Sequence, residues 1–271
     1  MLRFRNGIIA ALMIAACSPK PFKEAEKKQE VIKEEVMTKI QEDQAPTLVD
    51  SLGNVVPARF VPTVNFGERK PFYVMIHHTA QDSVQQTIQT FILDRTQVGA
   101  HYIIGRDGHL VQMLNDGLRA WHAGAGKWGN ITDMNSCSIG IELDNNGSEP
   151  FAEEQIKTLL LLLQKLKTEY KIPAANFIAH SDYAPGRKTD PSTKFPWERL
   201  AKKGFGIWYD LPDAIPSQNF DVEAALRRIG YDTGNLQAAM VPFKRHFIQS
   251  DVSPTLTDWD KCVLHNVSRK F

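Results

Sequence analysis

Cysteine is nearly absent: Cys17, Cys137 and Cys262 are the only three in 271 residues. That excludes a disulfide scaffold, and without a CxxC pair it excludes dithiol redox chemistry and a cysteine-rich structural zinc site. Charge of one sign is also lacking. Lys and Arg number 32 against 31 Asp and Glu, a net charge of +1, with an isoelectric point of about 7.7. A nucleic-acid partner, which needs a strongly basic domain or stripe, is not expected. No run approaches the roughly 20 apolar residues of a membrane span. The GxSxG elbow of serine hydrolases does not occur, and no helix-start signal follows Cys137 to activate its thiol. There is no internal repeat and no signal of oligomeric state.

What is present is ordinary globular composition, 42% apolar and 23% charged, enough for a sizeable core. The N-terminus is an address. Arg3 and Arg5 precede the short apolar run Ile8–Ala16, which makes 1–16 a signal peptide rather than a mature helix. The run ends Ile14-Ala15-Ala16-Cys17, which resembles a bacterial lipobox and implies a lipidated Cys17. Residues 17–45 are rich in Lys and Glu. Val31, Ile32, Val36 and Ile40 recur at helical spacing, but the preferred reading is a solvated tether. Localisation is then expected in the cell envelope, anchored to membrane through Cys17, at the outer membrane facing the periplasm.

Strands are expected over Pro71–His77, His101–Gly105, Leu110–Leu114, Ser138–Leu143 and Asn176–His180, with Asp107-Gly108 turning a hairpin. Asp82-Ser83 caps a helix over Val84–Leu93. Residues 151–170 repeat Ile156, Leu159, Leu160, Leu163, Leu166 and Tyr170 at helical spacing. The fold class is α/β, a mixed central sheet flanked by helices over 46–208. A small C-terminal three-helix domain follows over 209–271. Cys137 and Cys262 read as two ordinary thiols in different modules.

Two histidines stand out by context. His77 ends a buried strand, and His180 ends another and opens a segment in which Pro185-Gly186 allows a sharp turn back to Asp190. Two histidines and an aspartate form a tridentate set that leaves one tetrahedral position open, as catalytic zinc requires. Lys188, two residues before Asp190, falls on the same side of an extended chain and suits a developing oxyanion. Glu142 lies on an otherwise apolar strand. The residues alone leave two readings: a salt-bridged edge glutamate, or a general base facing a cleft with room beside it at Gly140. His78 is a rival ligand.

Six segments in order carry a resemblance. They are His77-His78-Thr79-Ala80, Ala100-His101-Tyr102, Arg106-Asp107-Gly108, Ala120-Trp121-His122-Ala123-Gly124, Ser138–Leu143 and His180–Pro191. Together they resemble the type-2 N-acetylmuramoyl-L-alanine amidases, zinc enzymes on the fold of peptidoglycan recognition proteins. Within that family the likeness is nearest to the lipoprotein amidases of the enterobacterial outer membrane. The resemblance implies zinc (Zn2+) held by His77, His180 and Asp190, Glu142 as general base and Lys188 as oxyanion stabiliser. It implies Trp121 and His122 as substrate contacts in the cleft wall, and it selects His77 over His78. Peptidoglycan and muropeptides are the implied partners. A non-catalytic peptidoglycan-binding protein on the same fold is the rival, disfavoured by the complete ligand set. Residues 222–247 resemble a peptidoglycan-binding helical domain, with Lys244-Arg245 suggesting a sugar-polymer face and Pro242 expected to kink or shift its second helix.

Overall fold

The computed structural model describes residues 20–41, 48–49, 53, 55–56, 69–211, 216–217 and 219–271. The chain divides into two compact units, residues 1–64 and 65–271.

In the first unit, α1 spans Lys20–Gln41, and β1 (Leu48–Val49) pairs antiparallel with β2 (Val55–Val56). The segment read as a tether is therefore helical over most of its length. The reason is composition: Lys, Glu, Gln and Ala are strong helix formers, and the one proline, Pro21, sits in the first turn where it is tolerated. Its solvation is as expected, since Val31, Ile32, Val36 and Met37 are all exposed. Residues 1–16 and Cys17 lie outside the described residues. Among the described residues no helix is long and apolar enough to cross a membrane.

The second unit is built on a five-stranded sheet. Its elements in order are β3 (Tyr73–His78), α2 (Val84–Phe91), β4 (Tyr102–Ile104), β5 (Leu110–Gln112), β6 (Ser138–Leu143), α3 (Glu153–Tyr170), β7 (Phe177–Ala179), α4 (His180–Tyr183) and α5 (Trp197–Lys202). Three helices follow, α6 (Val222–Ile229), α7 (Leu236–Phe247) and α8 (Asp258–Ser268). The strand order is β5-β4-β6-β3-β7, parallel except for the antiparallel edge strand β5. The hairpin turns where expected, with Gly105 donating to the His109 carbonyl at 2.9 Å. Ser83 caps α2 by accepting from the Gln86 amide.

Alternation along the strands sorts the sheet into two faces. Val74, Ile76, Ile139, Ile141, Leu143, Phe177 and Ala179 share a core with Ile156, Leu159, Leu162, Leu163 and Leu166 of α3. Leu162 is buried there, whereas Leu160 is only partly so, one step round the helix from the periodicity read in sequence. Met75 and Ile178, on the opposite face, join Tyr183 and Trp128 in a second core with Leu226, Phe243, Val263, Leu264 and Val267.

That second core crosses the boundary drawn at 208/209, and residues 65–271 form one compact unit. The three C-terminal helices exist as expected, with α6 capped by Asp221 and ended at Gly230. α7 continues through Pro242, which is buried. Lys244 is fully buried and paired with Asp251 and Asp260, so it contributes nothing to a surface face.

Candidate metal centre

The parallel pairing of β3 with β6 sets His77 opposite Glu142 and Met75 opposite Gly140. The same alternation that buries Ile76 and Ile141 against α3 therefore turns His77 and Glu142 to the other face, at one level. β7 pairs on the far side of β3, and the chain enters α4 immediately after it. His180 is thus the first residue of a short helix, not the last of a strand. Its neighbour Ser181 donates its amide to the Asp190 carbonyl at 2.8 Å, which returns the loop after Pro185-Gly186 to the start of α4.

Three donors converge. Asp190 Oδ2 lies 3.0 Å from His77 Nδ1 and 3.0 Å from His180 Nδ1. His77, His180 and Asp190 can each offer one ligand atom, all within 4.8 Å of one another. His180 Nε2 is 2.9 Å from the Ala123 carbonyl, an atom that can only accept, so Nε2 carries the proton. His180 therefore presents Nδ1, its other ring nitrogen, to the carboxylate of Asp190. Two imidazoles and one carboxylate brought together in this way fit a divalent metal with one open position.

The electrostatics agree. Burial, reinforced by the charge of His180, pushes His77 down to about 4, leaving it neutral and available as a ligand. Burial pushes Asp190 up, but hydrogen bonds and charge from His180 and His77 outweigh it and hold the carboxyl well below its usual range. Glu142 Oε1 is 4.0 Å from His77 Nδ1. Burial, with a further push from Asp190, raises Glu142 to about 8, and the cationic Lys188 pulls it back down. Oε2 of Glu142 is buried with no hydrogen-bond partner among the described residues. A carboxyl with a raised pKa and one free oxygen, facing a metal set, is equipped for proton transfer.

Of the other residues singled out in sequence, Lys188 falls within electrostatic reach of both Glu142 and His77. Trp121 is half exposed. His78 points to the opposite side of β3 from His77: its Nδ1 accepts from the Ser192 amide at 3.1 Å, and a Cβ on Gly147 would lie 2.8 Å from its Nε2. It is not in the donor set. The room at Gly140 is taken not by a cleft but by the His122 ring, which a Cβ there would meet at 2.5 Å. His122 Nδ1 lies 3.0 Å from His77 Nε2, and its Nε2 lies 3.2 Å from Ser138 Oγ.

Sequence reasoning missed an anchoring network beneath α4. Asp182 accepts from the Ala179 amide at 2.9 Å and from Tyr231 Oη at 2.8 Å, and lies 2.8 Å from His246 Nδ1. Tyr231 and His246 come from the C-terminal helical region, and only the Asp two residues after His180 hinted at the link.

Three converging potential metal ligands with a buried carboxylate oxygen beside them define a candidate centre for one divalent metal ion. Comparison with known proteins makes the class specific. The chain belongs to the N-acetylmuramoyl-L-alanine amidase family, which it matches over residues 67–193. The AmpD amidase of Enterobacter cloacae, described as acting on 1,6-anhydro-N-acetylmuramyl-L-alanine, is 33% identical over 59% of this chain and 81% of its own length. AmiD of Escherichia coli K12, an N-acetylmuramoyl-L-alanine amidase, is 34% identical over 59% of this chain, which spans 66% of AmiD, just under two thirds. The structure of AmiD in complex with anhydro-N-acetylmuramic acid-L-Ala-D-γ-Glu-L-Lys superposes with a TM-score of 0.68 at 27% identity, covering 82% of this chain and 97% of that one. AmpDh3 of Pseudomonas aeruginosa gives 0.67 at 25% identity, over 83% of this chain and 99% of AmpDh3. The shared mixed sheet and helices are those expected from sequence.

Proposed function

We propose that the protein is a zinc-dependent amidase that cleaves the amide between N-acetylmuramic acid and L-alanine in peptidoglycan stem peptides, in cell-wall turnover or recycling. The observation that carries this reading is the convergence of His77 Nδ1, His180 Nδ1 and Asp190 Oδ2 beside the partnerless Glu142 Oε2. The family and the muropeptide bound to AmiD support the substrate class.

Zinc would be held by His77, His180 and Asp190, and when bound would supply Lewis acidity. Glu142 takes the proton of the attacking water and returns it to the nitrogen of the leaving L-alanine. Lys188 places an ammonium where charge develops on the carbonyl oxygen. Trp121, half exposed beside His122, offers a flat apolar surface to the substrate. Digestion of intact sacculi is expected to release free stem peptides with an N-terminal L-alanine, identified by mass spectrometry. Products that retain the lactyl–alanine amide would refute the assignment.

Glu142→Gln preserves volume and removes the base, so turnover should fall by about 10²–10⁴, the usual worth of general acid–base catalysis, while zinc is retained. The variant carries a second signature in the metal-free protein. Folded Glu142 is held protonated up to about 8, above the unfolded carboxyl value of 4.5. Its contribution to stability is therefore complete below pH 4.5 and lost as pH rises through about 8. His77 and His101, held near 4 by burial, slope the other way on the acid side. The wild-type-minus-variant difference isolates Glu142. Denaturant midpoints across this range should show the wild type losing ground steadily relative to Glu142→Gln, and parallel curves would contradict the buried-base assignment.

The membrane and compartment assignments rest on the N-terminal sequence: a lipid-anchored protein of the cell envelope, at the outer membrane and facing the periplasm. Arg3, Arg5, the apolar run and the lipobox-like Ile14–Cys17 support it. Two or more acyl chains on Cys17 anchor stably where one does not. Cys17→Ser should move the protein from the membrane pellet to the soluble fraction, or leave it uncleaved. Persistence of the mature-length variant in salt-washed membranes would rule out this anchor.

A further inference from the structure

We propose that His122 is a positioning residue that fixes the tautomer of His77, and that the turn His122–Ala123 sets the proton positions of both metal histidines. Ser138 Oγ lies 2.6 Å from the Met134 carbonyl, which can only accept, so the single hydroxyl proton is committed to that bond. Ser138 Oγ, 3.2 Å from His122 Nε2, is left as an acceptor, and His122 must be the donor at Nε2. A neutral His122 then has a bare lone pair at Nδ1. That atom is 3.0 Å from His77 Nε2, so the proton between them belongs to His77. His77 with its proton on Nε2 has its lone pair on Nδ1, which is the atom facing Asp190 and His180.

The same turn serves the second histidine. The Ala123 carbonyl accepts from His180 Nε2 at 2.9 Å, which again leaves Nδ1 free. Both outer partners are held by one side chain: Asn135 Oδ1 accepts from the His122 amide at 3.0 Å and the Ala123 amide at 2.9 Å. The ring of His122 is seated against the bare α-carbon of Gly140, where any Cβ would collide with it. Both ring nitrogens of His122 are thus engaged within the protein, which assigns it to the ligand framework rather than to the substrate-contacting wall. Outer partners of this kind fix ligand orientation and basicity, and their loss commonly weakens metal binding by about 10–100-fold.

The inference rests on the zinc reading, and its test separates the two. Full-length protein is titrated with zinc against a competing chelator for wild type, His122→Asn and His122→Phe. The Asn side chain keeps an oxygen acceptor where Nδ1 stood but loses volume; the Phe side chain keeps the ring against Gly140 but offers no acceptor. Control of the tautomer predicts that His122→Phe loses about 10–100-fold in zinc affinity while His122→Asn stays closer to wild type. A packing role predicts the reverse order, and either that order or equal affinities would overturn the proposal. Thermal unfolding of the metal-free variants reports packing separately. Should a variant fail to fold, the wild type still decides. Histidine nitrogen–proton correlation spectra of the zinc-loaded protein are expected to show His122 protonated at Nε2 and His77 at Nε2, and a proton on His122 Nδ1 would refute the chain. Failure of the wild type to bind zinc would refute the metal reading itself.

Discussion

Asp190→Ala is expected to yield a protein that leaves dialysis without zinc and does not hydrolyse the muramyl–alanine amide. Asp190 Oδ2 is the one atom 3.0 Å from both imidazole Nδ1 atoms, and it is the only anion in the donor set. Without it a dication would sit between two neutral rings in a buried pocket, where uncompensated charge is costly. The loss should exceed the 10–100-fold typical of an outer-partner change, since a direct ligand is removed. Rescue from His78 is excluded by its geometry, because its ring is turned away and bonded to the Ser192 amide. Asp190→Asn, which keeps the shape and removes the charge, should retain the fold yet bind zinc poorly. Metal content after exhaustive dialysis, read beside turnover on a soluble muropeptide, checks the expectation. Stoichiometric zinc in the Asp190→Ala protein would remove Asp190 from the ligand set, and full turnover without zinc would remove the metal from the reaction.

The candidate site was legible where local rules suffice. Strand alternation alone places His77 and Glu142 on the face opposite the Ile76 and Ile141 side chains, and a Pro-Gly turn is enough to bring Asp190 back to His180. The position of His122 was not legible in this way, because its ring packs on an element distant in sequence. Nothing in Ala120–Gly124 reveals that Gly140, on another element, leaves space for its ring. For Glu142 the sequence could supply neither the burial nor the partnerless Oε2 on which the proposed role of base rests. α1 was underestimated for a different reason: exposed apolar residues at helical spacing argue against a buried helix, but not against a solvated one held by propensity and Lys–Glu pairs such as Lys33–Glu30. The boundary near 208 marks a real change from strand–helix alternation to helices. What texture could not show is that the helices cover the sheet.

That cover determines the largest structural effect. Deleting residues 210–271 is expected to abolish folding of the catalytic region, rather than release an active core lacking only a sugar-binding appendage. Met75, Ile178, Tyr183 and Trp128 are buried against Leu226, Phe243, Val263, Leu264 and Val267. Each fully buried side chain of this size is worth about 1.5–3 kcal/mol. Exposing even three or four of them approaches the 5–15 kcal/mol by which a domain is typically stable. The deletion also removes Tyr231 Oη and His246 Nδ1 from Asp182, a buried carboxylate on the one-turn helix that begins with His180. An unpaired carboxylate there disturbs the element that presents a metal ligand. The truncated protein should therefore lack cooperative unfolding and near-ultraviolet dichroism, and should bind no zinc. Tyr231→Phe in the full chain removes a single bond to Asp182 and should fold, with a smaller loss of stability. A soluble truncated protein that unfolds cooperatively, holds zinc and cleaves soluble muropeptides at the wild-type rate would show the helices to be separable, and would confine Tyr231 and His246 to their own module.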